Sequence, residues 1–178
     1  MTDLWVFGYG SLMWRPGFPF EQRVPARIYG AHRSLCVLSH THRGTKSRPG
    51  LVLGLDHGGS CRGVAFRVAD KNGESVIAYL RRRELDSDVY VEAWRPMRLD
   101  QASGRQVDAL FYVVDRTHPQ YAGNLPKSEA LEIVRGARGH SGPNRDYVVN
   151  TANHLRQQGI CDPMLDWIAK RLIRSEPN

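Results

Sequence analysis

The pattern of the apolar residues changes character after Pro119, from mostly strand-like to helical, and that change limits what the chain can fold into. Before it, apolar residues alternate or run in short blocks bounded by Gly, Pro and Asp, which is the pattern of strands. Leu4-Trp5-Val6-Phe7 reads as a short buried strand, ended by Gly8-Tyr9-Gly10. Pro16, Gly17 and Pro19 make residues 11–20 a loop, and residues 24–38 alternate well enough for one or two strands. Residues 51–55 and 61–68 are expected to form a hairpin across Asp56-His57-Gly58-Gly59, and 89–99 with 107–114 a second one turning at Ala102-Ser103-Gly104. One helix interrupts this part, over 74–85, with Val76, Ile77 and Leu80 on one stripe. After Pro119, residues 127–138, 144–158 and 163–174 each carry helical spacing. The expectation is an α+β fold, a strand-rich body with one early helix and a helical C-terminal third.

The chain has 178 residues and no repeat, low-complexity tract or linker, so a single domain over 1–178 is expected. No apolar run is long enough for a membrane-spanning helix. The start, Met1-Thr2-Asp3-Leu4-Trp5, lacks the basic and apolar regions of an export signal. Cys36, Cys61 and Cys161 are scattered and odd in number, which suits a reducing cytoplasm and buried small side chains rather than disulfides. The net charge of +7 can attract nucleic acid or a small anionic substrate. The arginines are not interleaved with a repeated aromatic pattern, which argues against RNA.

Two segments invite chemistry. Gly8-Tyr9-Gly10-Ser11-Leu12 follows a strand, but Met13 stands where a dinucleotide fingerprint needs its third glycine, and no Gly-Lys-Ser/Thr phosphate loop occurs. What remains is a tight turn whose amides can hold a carboxylate or a polarised carbonyl oxygen, or an ordinary turn. Both readings stand on the residues alone. Glu84 is more telling. On a helix over 74–85 it continues the Val76–Leu80 stripe as a carboxylate, because i and i+4 share a face. Burial there would raise its proton affinity toward a useful range. The commoner outcome for such a residue is a helix-end Glu paired with Arg81 or Arg83, or turned to water. His32, His40, His42 and His57 show no metal spacing, and Ser11 lacks a nucleophile-elbow context. Arg43, Lys46 and Arg48 line a Gly/Pro-punctuated loop that could bind an anion or simply be solvated.

Taken in order, the motifs resemble one family. Residues 5–16, Trp5-Val6-Phe7-Gly8-Tyr9-Gly10-Ser11-Leu12-Met13-Trp14-Arg15-Pro16, closely resemble the opening of the ChaC family of glutathione-specific γ-glutamylcyclotransferases. His42-Arg43-Gly44 with Arg48-Pro49-Gly50, the run Cys61 to Val68, Tyr79-Leu80 with Arg83-Glu84, and Asn144 with Tyr147 are similar to later segments of that family. Several ordered motifs across roughly residues 5–155 are far more specific than any one. The resemblance implies a γ-glutamylcyclotransferase-like mixed β-barrel with flanking helices. It implies that Val6, Phe7, Gly8, Tyr9, Gly10, Ser11 and Leu12 cradle the γ-glutamyl group, chiefly through backbone amides, and that Glu84 is the catalytic acid/base. Tyr112 would be a pocket tyrosine, and Arg48 part of a basic approach for the anionic substrate. Glutathione would be the partner, with neither cofactor nor metal required, and with no nucleic acid or membrane involved.

Overall fold

The computed structural model describes residues 3–85 and 87–174, so the Met1-Thr2 part of the export reading lies outside the described residues. In chain order the elements are β1 (Leu4–Gly8), a 3-10 turn (Ser11–Met13), β2 (Gln22–Ser39), β3 (Gly50–Val68), a second 3-10 turn (Asp70–Asn72) and α1 (Gly73–Glu84). They are followed by β4 (Tyr90–Leu99), β5 (Gln106–Val114), α2 (Lys127–Gly136), β6 (Arg138–Gly139), β7 (Gly142–Pro143), α3 (Asn144–Gln157) and α4 (Pro163–Arg174). The described residues gather into two compact units, Met1–Arg33 with Leu55–His118, and Ser34–Gly54 with Pro119–Asn178.

The five long strands close a barrel in the order β1-β3-β2-β4-β5. It is mixed because β1 runs antiparallel to β3 (Val6 opposite Phe66) but parallel to β5 (Val6 beside Leu110). β1 can be apolar throughout because all five of its residues are buried. The β4–β5 hairpin forms where the alternation predicts it, with Tyr90 opposite Val114 and Arg98 opposite Gln106. In the first unit Phe7 and Phe111 meet edge to face at 6.1 Å, over fully buried Ile28, Phe66 and Leu80. Each such side chain contributes about 1.5–3 kcal/mol by leaving water. The second unit packs helical stripes, among them Ala130, Leu131 and Val134 of α2 and Leu165, Ile168 and Leu172 of α4. Buried Asn144 acts there like a strand partner: its side-chain amide donates to the Leu51 carbonyl and its side-chain oxygen accepts the Leu51 N–H, both at 2.7 Å.

Two expectations are corrected. Asp56-His57-Gly58-Gly59 does not reverse the chain. β3 runs on from Gly50 to Val68, with Gly58 and Gly59 at φ of 95° and 71° inside it. A glycine pair can bend a long strand without ending it, and the turn signal does not distinguish the two outcomes. Cys161 is exposed between α3 and α4, whereas Cys36 and Cys61 are buried as expected. Among the described residues no helix is long and apolar enough to cross a membrane.

Candidate active site

The end of β1 is shaped by what glycine lacks. A Cβ at Gly8 would press on Leu12 Cβ at 3.1 Å, and one at Gly63 of β3 would run into the Gly8 carbonyl and the Phe7 ring. Without those carbons the strand ends in a close turn, and the Met13 amide closes on the Gly10 carbonyl at 2.9 Å. Among the described residues, the Ser11 and Leu12 amides are given to no carbonyl or side chain. The turn is braced from behind by Arg33 of β2, whose Nε donates to the Tyr9 carbonyl and whose Nη2 donates to the Arg62 carbonyl, each at 2.7 Å. Val6 and Phe7 are core residues whose side chains are inaccessible, and their part is to deliver this turn.

α1 forms where the stripe predicts it, with Glu74 in its first turn and Arg81, Arg82 and Arg83 in its last, both favourable for the helix dipole. Val76 and Leu80 are buried, and the Glu84 side chain, one turn further on, is only 18% exposed. Burial pushes its carboxyl above the ordinary range, and the Arg83 guanidinium, with Nε 3.3 Å from Glu84 Oε1, pulls partly back. Arg83 also donates from Nη2 to Ser11 Oγ at 3.0 Å, so the carboxylate and the turn share one guanidinium.

Tyr112 comes from β5. The parallel register that sets Val6 beside Leu110 brings Gly8 and Tyr112 next, two residues further along each strand. The tyrosine is buried, and its hydroxyl has no hydrogen-bond partner among the described residues. Burial first, then the nearby Glu92 and Glu84 carboxylates, hold the phenol well above its ordinary range, so it stays protonated. Glu92 lies opposite Tyr112 on β4 and is gripped by Arg81 through two bonds, Nε to Oε2 at 2.8 Å and Nη2 to Oε1 at 2.9 Å. That bond and its charge hold the Glu92 carboxyl below the ordinary range.

The first unit therefore brings together unspent amides, a half-buried carboxyl of raised proton affinity and a protonated phenol beside Glu92. Such a set can bind an anionic or carbonyl oxygen and move a proton beside it. Arg48 belongs to the second unit, where its guanidinium lies against Gly136. Arg43, also in the second unit, is committed to the Ser141 carbonyl at 2.6 Å and stacks over the Tyr147 ring. Among the described residues no cluster of His, Cys, Asp and Glu could hold a metal. A cleft of about 1170 Å³ lies elsewhere, lined by Leu4, Glu74 and Gln106 among others. Those residues are at the starts of β1, α1 and β5, whereas Gly8, Glu84 and Tyr112 are at or near the ends. Sequence reasoning gave no role to Arg33 or Glu92, and it offered Arg81 only as a partner for Glu84, whereas Arg81 grips Glu92. Arg33 and Glu92 reach the site only through strand pairing, which leaves no local signal.

A family model described as ChaC-like protein matches residues 4–174. The chain is 32% identical over 163 residues to a glutathione-specific γ-glutamylcyclotransferase of Escherichia coli, covering 92% of this chain and 70% of that one. It is 31% identical over 175 residues to γ-glutamylcyclotransferase 2-3 of Arabidopsis thaliana, covering 95% and 88%. To the human glutathione-specific γ-glutamylcyclotransferase 1 it is 32% identical over 162 residues, covering 90% and 72%. The crystal structure of a yeast γ-glutamyl cyclotransferase specific to glutathione superimposes with a TM-score of 0.85 at 21% identity, over 98% of this chain and 97% of that one, which shows the shared fold. With most of its length matched in family model and relatives alike, this chain belongs to the ChaC-like family of γ-glutamylcyclotransferases.

Proposed function

We propose that this protein cleaves glutathione into 5-oxoproline and Cys-Gly, with Glu84 moving the proton. The observation that carries the reading is the Glu84 carboxyl, largely but not fully withdrawn from water at the end of an apolar helical stripe and tied through Arg83 to the turn after β1. The names of the relatives favour glutathione as the γ-glutamyl compound. As a cytoplasmic enzyme it would meet that soluble tripeptide directly.

In a γ-glutamyl amide the α-amine can reach the γ-carbonyl of its own molecule. A bond forms from that nitrogen to the carbonyl carbon, the bond to the cysteinyl nitrogen breaks, and a five-membered lactam results. Nucleophile and electrophile share one molecule, so the site's first task is to hold the curled conformer, worth up to roughly 7–11 kcal/mol in well-oriented cases. The Ser11 and Leu12 amides are available to the substrate's carboxylate or to the developing oxyanion. The Tyr112 hydroxyl, kept protonated beside Glu92, supplies a further donor. Glu84 accepts the proton that the α-amine loses and delivers it to the departing nitrogen. Its raised proton affinity suits both directions of that transfer. No water and no co-reactant is consumed.

Measuring 5-oxoproline release from glutathione and, separately, from γ-glutamyl-alanine tests the reading. Glutathione turnover is expected, with Glu84→Gln lowering it by about 10²–10⁴-fold in a folded protein. Near-wild-type release by that variant would remove Glu84 from the mechanism. Preference for γ-glutamyl-alanine would overturn the substrate while leaving the chemistry.

A further inference from the structure

Arg83 adjoins Glu84 in the chain, yet most of its bonding points away from it. Its Nη1 donates to the carbonyls of Arg15 at 2.7 Å and Pro16 at 3.2 Å, and to the Tyr79 hydroxyl at 3.0 Å. Its Nη2 donates to Ser11 Oγ at 3.0 Å, and its Nε faces Glu84 Oε1 at 3.3 Å. Every nitrogen of the fork is therefore engaged, on one side with the segment after β1 and on the other with α1. A surface ion pair leaves such a side chain largely free, whereas this set leaves it one orientation. Arg81 fixes the same helical turn to β4 through Glu92, but among the described residues it is Arg83 that reaches both Ser11 and the Glu84 carboxylate.

We propose that Arg83 is the positioning residue of this site, one guanidinium setting the spacing between the turn after β1 and Glu84 and orienting that carboxylate. The inference rests on the cyclotransferase reading and deepens it, because it names what holds the base in register with the substrate's cradle. Among the described residues, the groups that interact with Glu84 are Arg83 from its own helix and the Tyr112 hydroxyl from β5, which in turn lies beside Glu92 and Arg81. Arg83 is the cation that favours the ionised carboxylate, against burial. Without it the carboxyl keeps its proton to higher pH, and the acid limb of the activity profile moves upward.

The test is 5-oxoproline release from glutathione across pH by the wild type, Arg83→Gln and Arg83→Lys. Arg83→Gln is expected to move the acid limb to higher pH and to lower kcat by about 10²-fold, the scale of an ångström-sized misplacement. Arg83→Lys restores the charge and hence the limb. One ammonium cannot span the Ser11, Arg15, Pro16 and Tyr79 acceptors, so its KM stays several-fold high. The position of the limb does not depend on how much of a variant folds. An unmoved limb in Arg83→Gln overturns the proposal, as does Arg83→Lys with wild-type KM. If Arg83→Gln is insoluble, Arg83→Lys decides alone. No turnover by the wild type is a separate failure, which sinks the cyclotransferase reading itself.

Discussion

Glu84 occupies the place where the Val76–Leu80 stripe would ordinarily continue with a leucine. Burial disfavours its ionised form more than Arg83 favours it, so the folded protein binds this proton more tightly than the unfolded chain does. The sign of the linkage follows. As pH rises, the unfolded chain ionises first, and a cost to the folded state sets in through the ordinary carboxylate range of about 4–5. Above the raised folded value the cost is complete. Glutamine at position 84 carries no such cost. Glu84→Gln should therefore melt at or above the wild-type temperature at pH 7, with the difference closing at about pH 4 and below. A lower melting temperature for the variant at pH 7 would mean that the Arg83 pair outweighs burial. Loss of activity together with unchanged or higher stability separates a catalytic carboxylate from a structural one.

At the scale of elements, the site depends on β1 and β3 approaching closely where β1 ends. Gly63 permits this, because any Cβ there meets the Gly8 carbonyl and the Phe7 ring, neither of which can move freely inside a ladder. Gly63→Ala is expected to cost about 1–3 kcal/mol, the range for an overfilled core, and to lower turnover further by displacing the turn that follows Gly8. Urea midpoints at constant m, with activity measured well below the transition, check both parts. Wild-type stability in that variant would show that the strands separate at no cost. The elements themselves were largely legible. The α1 stripe, the β4–β5 hairpin and the three C-terminal helices form within a residue or two of where periodicity puts them, because each buries one face with its own period. The Asp56–Gly59 segment was misread because Gly58 and Gly59 satisfy the same φ requirement in a bent strand as in a hairpin turn.

For the whole molecule, the net charge of +7 acts over a Debye length, about 10 Å at 0.1 M salt. Glutathione, the proposed substrate, carries two carboxylates, so raising ionic strength from about 0.05 to 0.5 M is expected to lower kcat/KM while leaving kcat nearly constant. A salt-independent kcat/KM would mean that the positive charge plays no part in capture. Arg43, a plausible anion contact in the sequence, bonds the Ser141 carbonyl and stacks on Tyr147, a use that a distant segment creates and no local pattern announces. By itself the sequence determined the period of each segment, hence strand or helix, and it put a carboxylate on the buried stripe of α1. Tertiary structure alone decided which strand lies beside β1, and so that Tyr112 follows Gly8 along the barrel while Glu92 stands opposite it. Periodicity is a property of neighbours in the chain, whereas register, burial and the sharing of one guanidinium between Ser11 and Glu84 arise only when residues far apart in sequence are packed together.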